Sequence, residues 1–249
     1  MRALLVACLV SISGSAFAQS SLGIIGAALS FGMTEDEAGS ARMDGAVTVD
    51  VAITGVHGFQ GDLRFADTGG GGIGALGAHV YMAPHEGQKY GLFARFSDVD
   101  GRSMMWGALG AEGMVSLAPA TTLEVQGGLG AADVRGLDFI FGGATLAYAL
   151  SPNFEVSAAL DVADFDETAF RATSYEAGLR ASYSPEGAPW GVYGSLTHSG
   201  LTGRDGAPGE TRIGFGLTLT FGSSGGTDPK TRPFRSSDPV APLLRRSLW

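Results

Sequence analysis

The sequence predicts an all-β chain: a closed, antiparallel, up-and-down barrel of about twelve strands, or ten, that crosses a membrane and ends in a disordered C-terminal tail. Three observations predict it. Segments of about ten residues alternate between apolar side chains and polar or tiny ones, the period of a strand with one face in a nonpolar medium, and about ten residues is the length at which a tilted strand crosses a bilayer. Glycine contributes 40 of the 249 residues while charged residues make up only 16%, against roughly 25% in average soluble proteins. Apart from a shorter apolar run at the N-terminus, no segment approaches the roughly 18 uninterrupted apolar residues of a membrane helix. A closed sheet is then what remains to satisfy every backbone donor and acceptor in lipid.

The N-terminus supplies the compartment. Met1 and Arg2 give a short basic start, Ala3 to Ile12 an apolar run, and Ala16-Phe17-Ala18 a small-residue cleavage site, the composition of a secretory signal peptide. The domain reading is therefore a signal peptide at 1–18, a barrel at 19–222 and a flexible periplasmic tail at 223–249. Cys8 is the single cysteine and falls within the signal, so the expected mature chain has neither disulfides nor a thiol nucleophile.

Leu22 to Gly32 is a weak first strand, followed by an acidic loop around Thr34 to Glu37. In Ala46 to Thr54, Val47, Val49, Val51 and Ile53 share one face and Asp50 lies on the other. His57 to Ala66 sets Phe59, Leu63 and Phe65 against Gln60, Asp62 and Arg64, with Gly55 marking the turn before it. After the glycine run at 69–72 come strands at Ile73 to Met82, Tyr90 to Ser97 and Met104 to Leu117. The later pattern is cleaner: Leu123 to Leu129, Asp138 to Leu150, Phe154 to Val162, Tyr175 to Tyr183, Trp190 to Thr197 and Arg212 to Phe221. Asp164 to Thr168 and Gly200 to Thr211 read as longer polar connections. An even strand number places both ends of the barrel on one side, together with the tight turns at Pro119, Ser151-Pro152-Asn153 and Ser184-Pro185. Tyr81, Tyr90, Phe154, Tyr183, Trp190 and Phe221 fall at strand ends, where aromatic girdles form.

The stretch Arg212 to Phe221, R-I-G-F-G-L-T-L-T-F, puts Ile213, Phe215, Leu217, Leu219 and Phe221 on every second residue. It resembles the closing strand of bacterial outer-membrane β-barrels of the small porin-like kind, whose alternation and final Phe are the signal read by the assembly machinery. The resemblance implies an outer-membrane location with both termini in the periplasm, and outer-membrane lipid and the barrel assembly machinery as partners. In that family the strand ends the chain, whereas here 28 residues follow it. From Ser223 onward, Pro229, Pro233, Pro239 and Pro242 prevent regular pairing.

Net charge is −9, which argues against nucleic acid as a partner. Asp98-Val99-Asp100-Gly101 resembles part of a calcium loop but lacks a bidentate Glu at the right spacing, so no metal and no cofactor are expected. Leu196 to Gly200 invites comparison with the outer-membrane lipid A deacylases, which have His and Ser near the end of a late strand with an acidic partner, for which Glu176 or Glu210 would serve. Here His198 and Ser199 are adjacent and must point to opposite faces of a strand, so no catalytic residue is expected.

What remains is the inward face. Asp50, Asp62, Arg64, Arg95, Glu112, Glu124, Glu155, Asp161, Glu176, Arg180 and Arg212 are assigned to the lumen, because lipid tolerates such charges only at a cost of several kcal/mol. Acids outnumber arginines among them. The expected function is a passive porin-like channel for small solutes, mildly preferring cations. The alternatives are a non-conducting structural or surface-interaction barrel and, behind both, a lipid A deacylase-like hydrolase. Oligomeric state is not legible.

Overall fold

A computed structural model describes residues 23–68, 71–133, 136–168, 170–222 and 228–246; the expected signal peptide lies outside them. The chain forms twelve strands: β1 Gly23–Asp36, β2 Ala41–Ala52, β3 His57–Asp67, β4 Gly72–Met82, β5 Gln88–Val99, β6 Met105–Ala118, β7 Thr121–Ala132, β8 Asp138–Ser151, β9 Phe154–Asp166, β10 Arg171–Tyr183, β11 Trp190–Thr202 and β12 Ala207–Gly222. Each pairs antiparallel with its neighbours in sequence, and β1 pairs with β12 to close the ring, Ala27 facing Phe221 and Glu35 facing Ile213. Both the weak first strand and the break at Gly55 are real, so the count is twelve and not ten.

Strand period decides which side chain goes where. Along β5, Tyr90, Leu92, Ala94 and Phe96 are exposed while Lys89, Phe93, Arg95 and Ser97 are buried between them. The exposed set recurs on every strand and includes Leu63, Leu76, Leu109, Leu129, Leu160 and Phe215. A continuous apolar outer wall of this kind is what lipid requires and water does not tolerate. Of the aromatics expected in girdles, Tyr90, Tyr183, Trp190 and Phe221 do face outward at the rim that holds Gly23 and Gly222. Tyr81 is a correction. It is buried in the interior, because its position in β4 has the parity of His79, and its hydroxyl donates to Asp50.

The strands run longer than their sequence pattern. β1 continues through Asp36, β9 through Asp166 and β12 starts at Ala207, so the expected loop at 200–211 shrinks to residues 203–206. These extensions leave the apolar belt: Asp36, Asp164, Asp166 and Glu210 keep their backbone in the ladder while their side chains are polar, which hides them from an apolar-period reading. The rim opposite Gly23 and Gly222 thereby becomes acidic.

The C-terminal segment departs furthest from expectation. Its prolines do keep it out of the sheet, but the described residues 228–246 are packed against the inner wall of the barrel. It enters the barrel at the Gly222 rim, runs through the lumen and forms one short helix, α1 Ala241–Arg245, near the opposite rim.

Candidate functional site: the occupied lumen

All eleven charged residues assigned to the interior lie at inward positions of their strands, and five of them, Arg64, Glu124, Glu155, Asp161 and Glu176, bond the tail directly. Near the Gly222 rim, Arg232 meets Glu155 through two hydrogen bonds of 2.6 and 2.9 Å. Midway, Arg235 meets Asp161 through two of 2.7 Å, and its backbone N–H donates to Glu124 at 2.6 Å. Further along, Arg245 donates to Glu176 at 2.6 Å, and the same carboxylate oxygen accepts from Arg212 at 2.7 Å. Arg64 donates to the Ser236 carbonyl. Such bidentate, charge-assisted pairs fix orientation as well as contributing energy.

Asp50, Asp62 and Glu112 belong to a second group, close to the tail but bonded to side chains of the wall, with Glu112 Oε2 buried without a hydrogen-bond partner. His79 lies between two carboxylates, 2.8 Å from Asp62 and 2.7 Å from Glu112, with less than 2% of its surface exposed. Its ring stacks on Phe234 of the tail, with the planes within 11°. Lys89 is fully buried, 3.7 Å from Asp50 and 3.9 Å above the Tyr81 ring, and donates to the Arg232 carbonyl at 3.1 Å. The space for Phe234 comes from Gly91, where a Cβ would stand only 3.2 Å from its ring. Gln60 fixes the same residue from the other side: its amide donates to the Phe234 carbonyl at 2.9 Å and accepts from the Phe234 N–H at 2.8 Å.

Arg95 and Arg180 remain apart from these pairs. All three Arg95 guanidinium nitrogens are buried without a hydrogen-bond partner, and Arg180 lies 3.5 Å above the Tyr193 ring. Both border a cavity of about 370 Å³ left between the tail and the wall.

Toward the far rim the lining turns apolar. Phe139, Phe141, Phe165 and Phe170 form a run of rings at centroid distances of 5.5 to 6.1 Å. Val240, Leu243 and Leu244 of the tail are buried against this cluster. Asp238 anchors the approach, accepting from Trp106 Nε1 at 3.0 Å and from Ser97 at 3.3 Å. The sequence signal for these contacts is Leu243-Leu244-Arg245-Arg246 itself, apolar and basic together in a tail with no strand to join.

No protein-family model and no curated protein matches the chain. Solved structures do. The NanC porin superposes with a TM-score of 0.58 at 8% identity, covering 77% of this chain and 98% of its own. An outer membrane channel from Pseudomonas putida F1 gives 0.56 at 9%, covering 84% and 100%. The KdgM porin, in a structure with disordered oligogalacturonate, gives 0.54 at 9%, covering 78% and 99%. The fold is that of the outer-membrane porins. At such identities the likeness carries the architecture and nothing about solutes.

The structure also separates the residues of the hydrolase alternative. Ser199 is fully buried in the lumen, where Arg246 donates to its carbonyl, whereas His198 is exposed on the outer wall beside Thr211, 3.0 Å away. Glu176 and Glu210 both bond Arg212 on the inner side. The expected closing strand presents Ile213, Phe215, Leu217, Leu219 and Phe221 outward. Among the described residues no cluster of His, Cys, Asp and Glu has metal-site geometry.

Proposed function

We propose that this chain is an outer-membrane channel for small solutes, without catalysis, whose lumen is occupied by its own C-terminal segment. One observation carries the reading: the lumen is filled by a segment outside the ladder, held by side chains, so that it can leave without opening the wall. With the tail displaced, Glu155, Asp161 and Glu176 lose their tail arginines and the path favours cations. The Gly23 and Gly222 rim faces the periplasm in this reading. It has the two shortest connections, residues 119–120 and 152–153, while the acidic collar lies on the other rim. The closing strand engages the assembly machinery through its outward Phe221.

Planar-bilayer recording on the full chain and on a chain ending at Gly222 tests this. Full-length protein is expected to be closed or nearly so, and the shortened one to give single-channel steps with a reversal potential favouring cations. The alternative of a structural barrel is favoured by the apolar cluster of Phe139, Phe165 and Leu243 across the far mouth. A folded, shortened barrel that gives no steps would establish that alternative.

A further inference from the structure

We propose that the lumen is a binding site for arginine-bearing extended peptides, with segment Asp228–Arg246 as its resident occupant in cis. The proposal deepens the channel reading, but its test does not depend on conductance.

Two kinds of contact define the site, and they read different things. The first kind reads backbone. Gln60 pairs with both the N–H and the C=O of Phe234, as a neighbouring strand would, Lys89 takes the Arg232 carbonyl, Arg64 the Ser236 carbonyl, and Glu124 the Arg235 N–H. Any peptide has these groups, so this set is indifferent to sequence. It is also how extended peptides are generally held, by main-chain bonds with side-chain pockets added for choice.

The second kind selects guanidinium. Glu155 and Asp161 each receive an arginine through two parallel hydrogen bonds, and Glu176 receives a third arginine at 2.6 Å. Two coplanar bonds to one carboxylate require a planar fork, which Lys lacks. The segment supplies Arg232, Arg235, Arg245 and Arg246 with Lys230, against the two acids Asp228 and Asp238. The lumen side of these contacts is dominated by carboxylates. An occupant in trans must therefore be cationic, arginine-containing and extended; Gly91 leaves room for one aromatic side chain beside the first arginine.

The test uses the full chain. A protease site is placed within residues 223–227, Ser247→Cys supplies a dye position, and the folded protein is cleaved in detergent. The labelled segment is expected to stay with the barrel through gel filtration. An excess of unlabelled 228–246 peptide should then release it, as should an unrelated peptide with arginines at the same spacing, whereas a peptide with Glu at those positions should not. Glu155→Gln with Asp161→Asn should speed release by about ten-fold or more, the effect of losing charge-assisted hydrogen bonds. Arg232→Gln with Arg235→Gln, which leaves the barrel untouched, should do the same. The proposal is overturned if the segment leaves on cleavage alone, if only its own sequence or no peptide displaces it, or if the Arg232→Gln with Arg235→Gln change has no effect on release.

Discussion

Gln60 holds Phe234 by both of its backbone groups, 174 residues away in sequence, in the way one strand holds the next. The bond pair sits in the buried interior, where a lost partner is not replaced by bulk water. Gln60→Ala should therefore loosen the tail while leaving the strand ladder intact, at a cost of about 1–3 kcal/mol for buried groups left unpaired, Asp62 of the wall losing the same amide. Limited trypsin digestion of the folded protein checks this: cleavage after Lys230 and Arg235 is expected to accelerate, with the barrel fragment remaining intact, whereas Arg232 is followed by Pro233 and stays resistant. Unchanged digestion would mean that the arginine pairs alone retain the segment.

His79 keeps two buried carboxylates apart. Replacing it with Leu leaves Asp62 and Glu112 facing each other without the group that bonds both, and breaking a buried ionic group in this way costs roughly 3–5 kcal/mol. The temperature at which the protein shifts between its folded and unfolded positions on a gel should fall markedly. His79→Gln, which retains a donor, should fall less.

Ending the chain at Gly222 removes every tail contact but no ladder partner, since Gly222 is the last residue of β12 and pairs with Gly26. A heat-modifiable barrel should still form, with a lower midpoint because the cluster around Phe165 loses Leu243 and Leu244. Failure to form any folded species would show that the segment is needed during closure.

Phe221→Asp addresses the closing strand. The side chain is exposed at the Gly222 rim, where a charge facing lipid costs only about 0–1 kcal/mol. A large loss of assembled protein in cells, with normal refolding of purified protein in detergent, is the expected pair of results. A matching defect in both would place the effect in the barrel itself.

The wall was legible in the sequence because lipid imposes a strict requirement. Every second residue from Ile213 to Phe221 must be apolar, and the same holds from Leu63 and Leu160 outward along their strands, so the period survives without tertiary information. Inward parity then followed for Asp161 and Glu176 without further assumption. Two things were hidden. Beyond the apolar belt, Asp166 and Glu210 stay in the ladder where no medium enforces alternation. The tail was hidden for a different reason: absence of strand or helix period is the mark of a disordered segment, and also of an ordered one whose regular partners are side chains of another element. Lys89, His79 and Gln60, all buried against it, gave no sign of the tail, because a polar residue on an inward position looks the same whether it faces water or Phe234.

Among the described residues, segment 228–246 has no partner in the ladder and is held by side-chain contacts. Its departure breaks no strand pairing, so the molecule has two separable equilibria, emptying of the lumen and unfolding of the wall. Amide hydrogens of Phe234 and Arg235 should exchange through the first, with less sensitivity to denaturant than unfolding of the wall, because that step exposes the segment and its lining but leaves the sheet closed. Those of Leu160 and Leu179 should wait for the second, so that a single protein shows two exchange regimes on opposite sides of one set of hydrogen bonds.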